Sequence, residues 1–283
     1  MNAPAETRAT PDDANDLRGL HFKLLLGKAI TWIAIGIAVI AAGVAGAVFL
    51  SPAIGGAAAL GIFLLGLLAV FAIADSRSED SFFEAYASQR GMSLAGKSHM
   101  PGATPLLNKG DDRYAERLLT GPIADGLEGT LALYTYEEET TDSRGNRQTS
   151  YYRYTVGLLD VPECAAHIPE LYCQRKFGLK ALEGLEDAFR GSRERIELES
   201  EALDDKYEIF AHENQDANWL RQFFSPTFIV WLTDTAPKKF AFELVDGTLC
   251  CYVNDHKKSA KELDIVCQAS AAVAARLREE AAE

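Results

Sequence analysis

The chain has 283 residues, 48% of them hydrophobic, with 28 basic against 41 acidic side chains and a formal net charge of −13. That balance, with no Lys/Arg cluster anywhere, excludes a nucleic-acid partner, which needs a basic face. Five cysteines with no C-x-x-C spacing among them need form no disulfide in a reducing compartment.

Residues 1–17, MNAPAETRATPDDANDL, are polar and show no apolar period. The whole stretch 1–28 is therefore expected as a disordered cytosolic tail.

From Ala29 to Ala74 there is no charged side chain. Two apolar runs, at about 29–50 and 56–74, flank the spacer SPAIG. Each run is about 20 residues long, enough to cross roughly 30 Å of hydrocarbon at 1.5 Å per residue. Ser51, Pro52 and the Gly55-Gly56 pair break the helix and turn it back. The reading is a two-pass transmembrane hairpin over 29–74, preferred to two rivals. A cleaved signal peptide has a shorter apolar region and no second span close behind it. A hairpin buried in a soluble core would show some polar face. Arg8, Arg18, Lys23 and Lys28 precede the first run, Arg77 and Arg90 follow the second, and the turn has no basic residue. Positive-inside bias then puts both termini in the cytoplasm, as in a multi-pass protein of a bacterial inner or plasma membrane.

Residues 75–116 read as a juxtamembrane helix followed by a loop. Phe82, Phe83, Tyr86 and Met92 keep helical spacing, and SHMPGATPLLNKGDDR is punctuated by Pro101, Gly102, Pro105 and Gly110. Between them lies GMSLAGKS, residues 91–98, which fits the phosphate-loop pattern G-x-x-x-x-G-K-[ST] at Gly91, Gly96, Lys97 and Ser98. That motif needs a strand before it and a helix after it, whose N-terminus faces the phosphates. Here a helical pattern precedes it and prolines follow it, so the match is read as a decoy.

Residues 117–283 are expected as an acidic cytosolic α+β domain of antiparallel β-hairpins, as one core or as two subdomains, 117–190 and 191–283. GLEGTLALYTYEEE and TSYYRYTVGLLDVP read as paired strands, with Tyr134, Tyr136, Tyr152 and Tyr154 in cross-strand contact. RERIELES and DKYEIFAH read as a second pair. DANWLRQFF and SPTFIVWLTD read as consecutive helices, the latter capped by Ser225 with Pro226 at its first position. Phe240, Phe242 and Leu244 alternate before Asp246-Gly247, and Leu249, Cys251 and Val253 after it, which marks a hairpin. Its adjacent Cys250 and Cys251 are expected on opposite faces of the sheet. SAKELDIVCQASAAVAARLREE reads as an amphipathic helix with Ser259 and Glu262 as a capping pair. Leu263, Val266, Val273 and Leu277 share one face, interrupted by Ser270.

No cofactor, metal or catalytic residue is assigned. His167/Glu170 and His212/Glu213 offer two ligands each, short of the three or four a zinc site needs. Asp160 ends an apolar strand, as a magnesium-binding aspartate does, but in a hairpin rather than a parallel sheet. No G-x-S-x-G elbow or local cysteine-nucleophile signature occurs.

The segments L-E-S-E-x-L (198–203), K-Y-x-I (206–209), S-P-T-F (225–228) and D-G-x-L (246–249) resemble, in that order, a family of uncharacterised bacterial two-pass membrane proteins with a C-terminal cytosolic domain of unknown function. The resemblance implies an architecture and no reaction. The expected function is a membrane-tethered interaction module whose partners are the lipid bilayer and a protein, small ligand or further copy. The alternatives are a scaffold assembling through its Gly/Ala-rich spans, with Ala42-x-x-x-Gly46 and Ala57-x-x-x-Gly61 as contact points, and an anchored nucleotide-binding enzyme using GMSLAGKS.

Overall fold

The computed structural model describes residues 13–49, 51–176 and 193–282. The chain forms two compact units, Met1–Tyr86 with Lys258–Ala260, and Ala87–Lys257 with Lys261–Glu283.

The first unit is built on three helices, α1 (Ala14–Leu26), α2 (Ala29–Phe49) and the start of α3 (Pro52–Arg90). Helix α1 corrects the expectation of a disordered stretch through residue 28; residues 1–12 lie outside the described ones. The Asp13 carboxylate accepts the Asn15 N–H at 2.8 Å and caps the helix, satisfying a donor that a helix start otherwise leaves open. Leu25 then joins Ile35, Val70 and Ala74 in a buried cluster flanked by Phe22 and Leu26. The partners of these side chains lie far along the chain, so no local period announces them. At the other end, the Thr31 hydroxyl and Trp32 indole of α2 donate to the Leu25 and Leu26 carbonyls at 2.8 and 2.7 Å, closing the break at Gly27-Lys28.

Helices α2 and α3 pack as an antiparallel pair through glycine. A Cβ on Gly46 would stand 2.8 Å from the Gly55 Cα, and one on Gly55 would stand 2.6 Å from the Gly43 carbonyl oxygen. The turn is tighter than the expected five-residue spacer, with α3 beginning at Pro52 rather than near residue 56. Ser51 explains the shift: its hydroxyl accepts the Ile54 N–H at 3.3 Å and its carbonyl the Gly55 N–H at 2.9 Å, while Pro52 suits a first helical position. As expected, α3 runs on without interruption beyond Ala74.

The second unit is organised by one antiparallel sheet of nine strands among the described residues, in the order β1-β2-β3-β4-β9-β8-β5-β7-β6. The strands are β1 (Ser93–Ala95), β2 (Asp112–Ala124), β3 (Leu127–Thr141), β4 (Arg147–Asp160), β5 (Glu170–Arg175), β6 (Arg193–Arg195), β7 (Tyr207–His212), β8 (Ala241–Val245) and β9 (Thr248–Asn254). The β8–β9 hairpin lies between β4 and β5, so 117–190 and 191–283 contribute strands to the same sheet. Its Asp246-Gly247 turn has φ of 47° and 79°, the paired positive values that match the strand twist.

Three strands were not legible as such. Ser93–Ala95 is too short for a period and pairs only with Leu118–Thr120. In β2 the buried residues Ala115, Leu119 and Ile123 fall four apart, and a bulge between Ala115 and Arg117 turns Ala115 and Leu119 to opposite faces, so no period-two alternation shows. In β5, Leu171, Tyr172 and Cys173 are all buried, as in a strand covered on both faces, so nothing alternates.

Short helices α4 (Glu201–Asp204), α5 (Ala217–Phe223) and α6 (Pro226–Val230) follow the edge of this sheet, and α7 (Ala260–Ala281) closes the chain. Ser225 precedes α6 as expected, although its hydroxyl meets Thr227 Oγ1 at 3.2 Å instead of capping the backbone. The α7 stripe of Leu263, Val266, Ser270, Val273 and Leu277 is fully buried, with the Ser270 hydroxyl donating to the Val266 carbonyl at 2.8 Å. Opposite it on β4, Gly157 has no side chain, and a Cβ there would collide with Ser270. Small residues thus let helix and sheet approach closely.

Candidate functional site

The GMSLAGKS segment builds no phosphate cradle. Gly91, at φ 67°, terminates α3, and Met92 is buried. The following residues enter β1, and Ser98 exchanges backbone hydrogen bonds with Ala115 at 2.9 and 2.8 Å. The backbone of the segment is therefore engaged in sheet pairing at Ser93–Ala95 and again at Ser98. The Lys97 ammonium sits 3.4 Å from the centre of the Tyr114 ring, and the next element is one 3₁₀ turn, Leu106–Asn108. Among the described residues, no α-helix follows the loop before β2 to turn its N-terminus toward it.

The other residues singled out in the sequence fall into structural settings. Burial pushes the Cys164 thiol up to about 11 and those of Cys173, Cys250 and Cys251 further, so none is a ready thiolate. Cys250 lies in the cluster with Met100 and Leu106, on the opposite face of β9 from Cys251. Tyr136 stacks on Tyr152 at 4.8 Å and on Tyr154 at 6.0 Å, but both Tyr134 and Tyr136 are fully buried, so the rings are core and not an open stacking platform. The Glu170 carboxylate is held below its ordinary range, first by its hydrogen bond from Arg193, which removes it from any site with His167. His212 Nδ1 accepts the Asn214 N–H at 3.3 Å. Among the described residues, no group of three or more His, Cys, Asp or Glu side chains converges as a metal site.

Two features were not visible in the sequence. The first is Glu243 on β8, which has no exposed surface. Its Oε2 accepts the Leu106 N–H at 3.0 Å and its Oε1 faces the Tyr252 hydroxyl at 3.4 Å. The Tyr134 hydroxyl donates to the Leu106 carbonyl at 3.2 Å, so the sheet grips both sides of that one peptide unit. Burial pushes the Glu243 carboxyl up to about 7, against the Leu106 N–H and the Arg193 charge, which favour its ionised form. A carboxyl poised near neutrality suits acid–base work. Enclosed beneath the strap carrying Leu106 and Leu107, this one meets no substrate and acts as a clasp.

The second is a cleft of about 450 Å³ at the sheet edge, lined by β6, β7 and α5. That volume falls within the range of small-molecule sites. Arg195, His212 and Arg221 line it together with Glu194, Glu197 and the apolar Leu220. Arg195 lies 3.8 Å from Glu208, and the Asp216 carboxylate caps α5 through the Asn218 N–H at 2.8 Å, fixing Leu220 and Arg221 at the rim. The lining is polar and of mixed sign, suited to a small molecule carrying both charge and apolar surface. Only His212 among these residues was noticed in the sequence, because the set converges from separate elements.

No protein-family model, curated protein or solved structure matches the chain. Its architecture is a pair of long apolar helices followed by a mixed helix and antiparallel-sheet unit, and the two helices are long and apolar enough to cross a membrane.

Proposed function

We propose that this is a two-pass integral membrane protein that holds an acidic α+β module in the cytosol to bind a protein or small ligand. One observation carries the reading. Ile30, Ile37, Ile40, Leu64 and Leu68, all within the uncharged stretch, are 51–72% exposed on the outside of the hairpin. An Ile or Leu left in water forgoes about 1.5–3 kcal/mol of burial, so continuous rows of them favour lipid over water. The basic residues flanking the spans, against none in the turn, favour cytoplasmic termini. The edge cleft supports the small-ligand form of the binding reading.

Membranes carrying the full chain with a C-terminal tag test both parts of the topology. The chain stays with membranes washed in alkaline carbonate, and protease removes the tag only after the cells are permeabilised. Release by the wash overturns the membrane reading, and cleavage on intact cells overturns the orientation. For the cleft, a panel of small polar metabolites screened by thermal shift on the detergent-solubilised chain gives a stabilising compound whose effect is lost in Arg221→Ala. A panel without such a compound removes the cleft from the proposal.

Assembly through the spans is the weaker reading, because Gly46 of the Ala42-x-x-x-Gly46 pair, with Gly43 and Gly55, packs within the hairpin and leaves Gly61 of the second pair as its open contact point. The nucleotide-enzyme reading is weakened likewise by the pairing of the GMSLAGKS backbone into the sheet.

A further inference from the structure

Resting on the membrane reading above, we propose that the cytoplasmic boundary of the hydrocarbon crosses α1 near Arg18 rather than at Lys28. Lys23 and Lys28 then reach from below that boundary to the phosphates of anionic phospholipid.

The depth follows from how α1 pairs with α3. The Ser78 hydroxyl donates to the Ala14 carbonyl, and Arg18 pairs with Asp75. The Arg18 guanidinium lies 5.5 Å over the Phe71 ring, and the Phe22 ring meets Phe71 edge-on at 5.9 Å. Leu25 packs with Val70 and Ala74. Each turn toward the C-terminus of α1 thus moves further into the uncharged part of α3. Phe71 belongs to the stretch whose outer surface is exposed and apolar, so Phe22 and everything after it on α1 stands at that depth.

The outer face of α1 agrees. Leu17, Leu20 and Leu24 recur at i, i+3 and i+7, and Leu20 and Leu24 are each 58% exposed. That stripe leads directly to Ile30 and Ile33 on α2, exposed at 72% and 59%. The Trp32 indole, 45% exposed, has its N–H on the Leu26 carbonyl, which leaves its ring free to lie against acyl chains.

Two cations remain at this level. Lys23 and Lys28 are exposed and have no ion pair among the described residues, whereas Arg18 is neutralised by Asp75. A charged amine held at apolar depth is expensive, and its four-carbon stem lets it extend to the headgroups instead. A lipid with net negative charge best satisfies two exposed ammonium groups at this depth. Both belong to a chain whose net charge of −13 otherwise opposes an anionic surface. The pair is therefore a local lipid contact that the composition conceals.

The test uses the full chain in nanodiscs of mixed anionic and zwitterionic lipid, with nitroxides on Asn15→Cys, Leu24→Cys and Leu64→Cys. The five native cysteines are all buried. Oxygen is expected to relax the labels at 24 and 64 more than a water-soluble nickel complex does, with the order reversed at 15. A water-like label at 24 beside a lipid-like one at 64 overturns the inference and leaves the hairpin in the membrane. Water-like labels at both overturn the membrane reading as well. Replacing both lysines by Gln lowers the preference for anionic over zwitterionic lipid, read from the lipids retained in native mass spectra, about 30-fold. The Lys23→Arg, Lys28→Arg chain keeps it. An unchanged preference in the Gln chain overturns the headgroup contact.

Discussion

Where α2 and α3 cross near their turn, glycines lie inside and most large apolar side chains of the hairpin face outward, whereas in the sheet unit the large apolar side chains fill the core. Gly43, Gly46 and Gly55 fill the helix crossing while Ile37, Ile40 and Leu64 face outward. In the sheet unit Leu107, Phe240, Phe242 and Leu263 have no exposure, and Glu139, Arg144 and Lys261 lie at the surface. The same chain thus follows two opposite rules for apolar side chains. Each rule fits a different solvent: water drives Leu and Phe inward by the hydrophobic effect, but lipid exerts no such force, and close backbone approach through glycine takes its place.

One kind of substitution, made in both regions, breaks or sharpens this contrast most strongly. Leu263→Ala opens a cavity in the sheet unit and is expected to destabilise it by about 2–5 kcal/mol, read as a fall in the melting midpoint of the full chain in detergent. Leu64→Ala, on the outside of the hairpin, leaves no cavity and moves the midpoint within error. Equal effects at the two positions would mean that Leu64 is buried after all.

The next effect belongs to Glu243. Its carboxyl rises from 4.5 to about 7 in the folded chain. Between those values the folded state keeps a proton that the unfolded state has released, so stability falls as pH rises through this window and levels off above it. At about 1.4 kcal/mol per pH unit the change amounts to roughly 3 kcal/mol. Glu170, shifted the other way, acts below 4.5 and does not overlap. Glu243→Gln keeps an acceptor for the Leu106 N–H, and denaturant midpoints of that variant are expected to lose this slope. A slope that persists would place its origin elsewhere.

Smaller again is Gly55→Leu, where the new side chain meets the Gly43 carbonyl and overpacking costs about 1–3 kcal/mol. Gly61→Leu, whose Cβ meets nothing within 4 Å, is expected to be silent in the same assay. Lys97→Ala loses only the contact with the Tyr114 ring, about 0.5–1 kcal/mol. Calorimetry with ATP or GTP is expected to show no heat of binding before or after that change; a saturable signal lost on substitution would restore the phosphate loop.

The legible features were those whose cause is local. An uncharged stretch, an Asp-Gly turn between alternating strands and a four-residue apolar stripe each declare themselves within a few turns of chain. Glu243 did not. The alternation of Phe240, Phe242 and Leu244 assigns it to the open face of a strand, and the strap that covers that face, with Leu106 bonded to the carboxylate, lies 137 positions away. Helix α1 was hidden for the same reason, since its buried Leu25 is answered by Val70 and Ala74. The edge cleft joins β6, β7 and α5, and no spacing within any one of them marks it.

The central claim is that residues 29–74 lie in lipid. Single cysteines at Ile37, Ile40, Leu64 and Leu68 of the full chain, reconstituted in vesicles and challenged with a water-soluble maleimide, test it most directly. All four are expected to stay unmodified until the membrane is dissolved and the chain denatured. Labelling of these positions in intact vesicles at the rate of a cysteine in water would contradict the account.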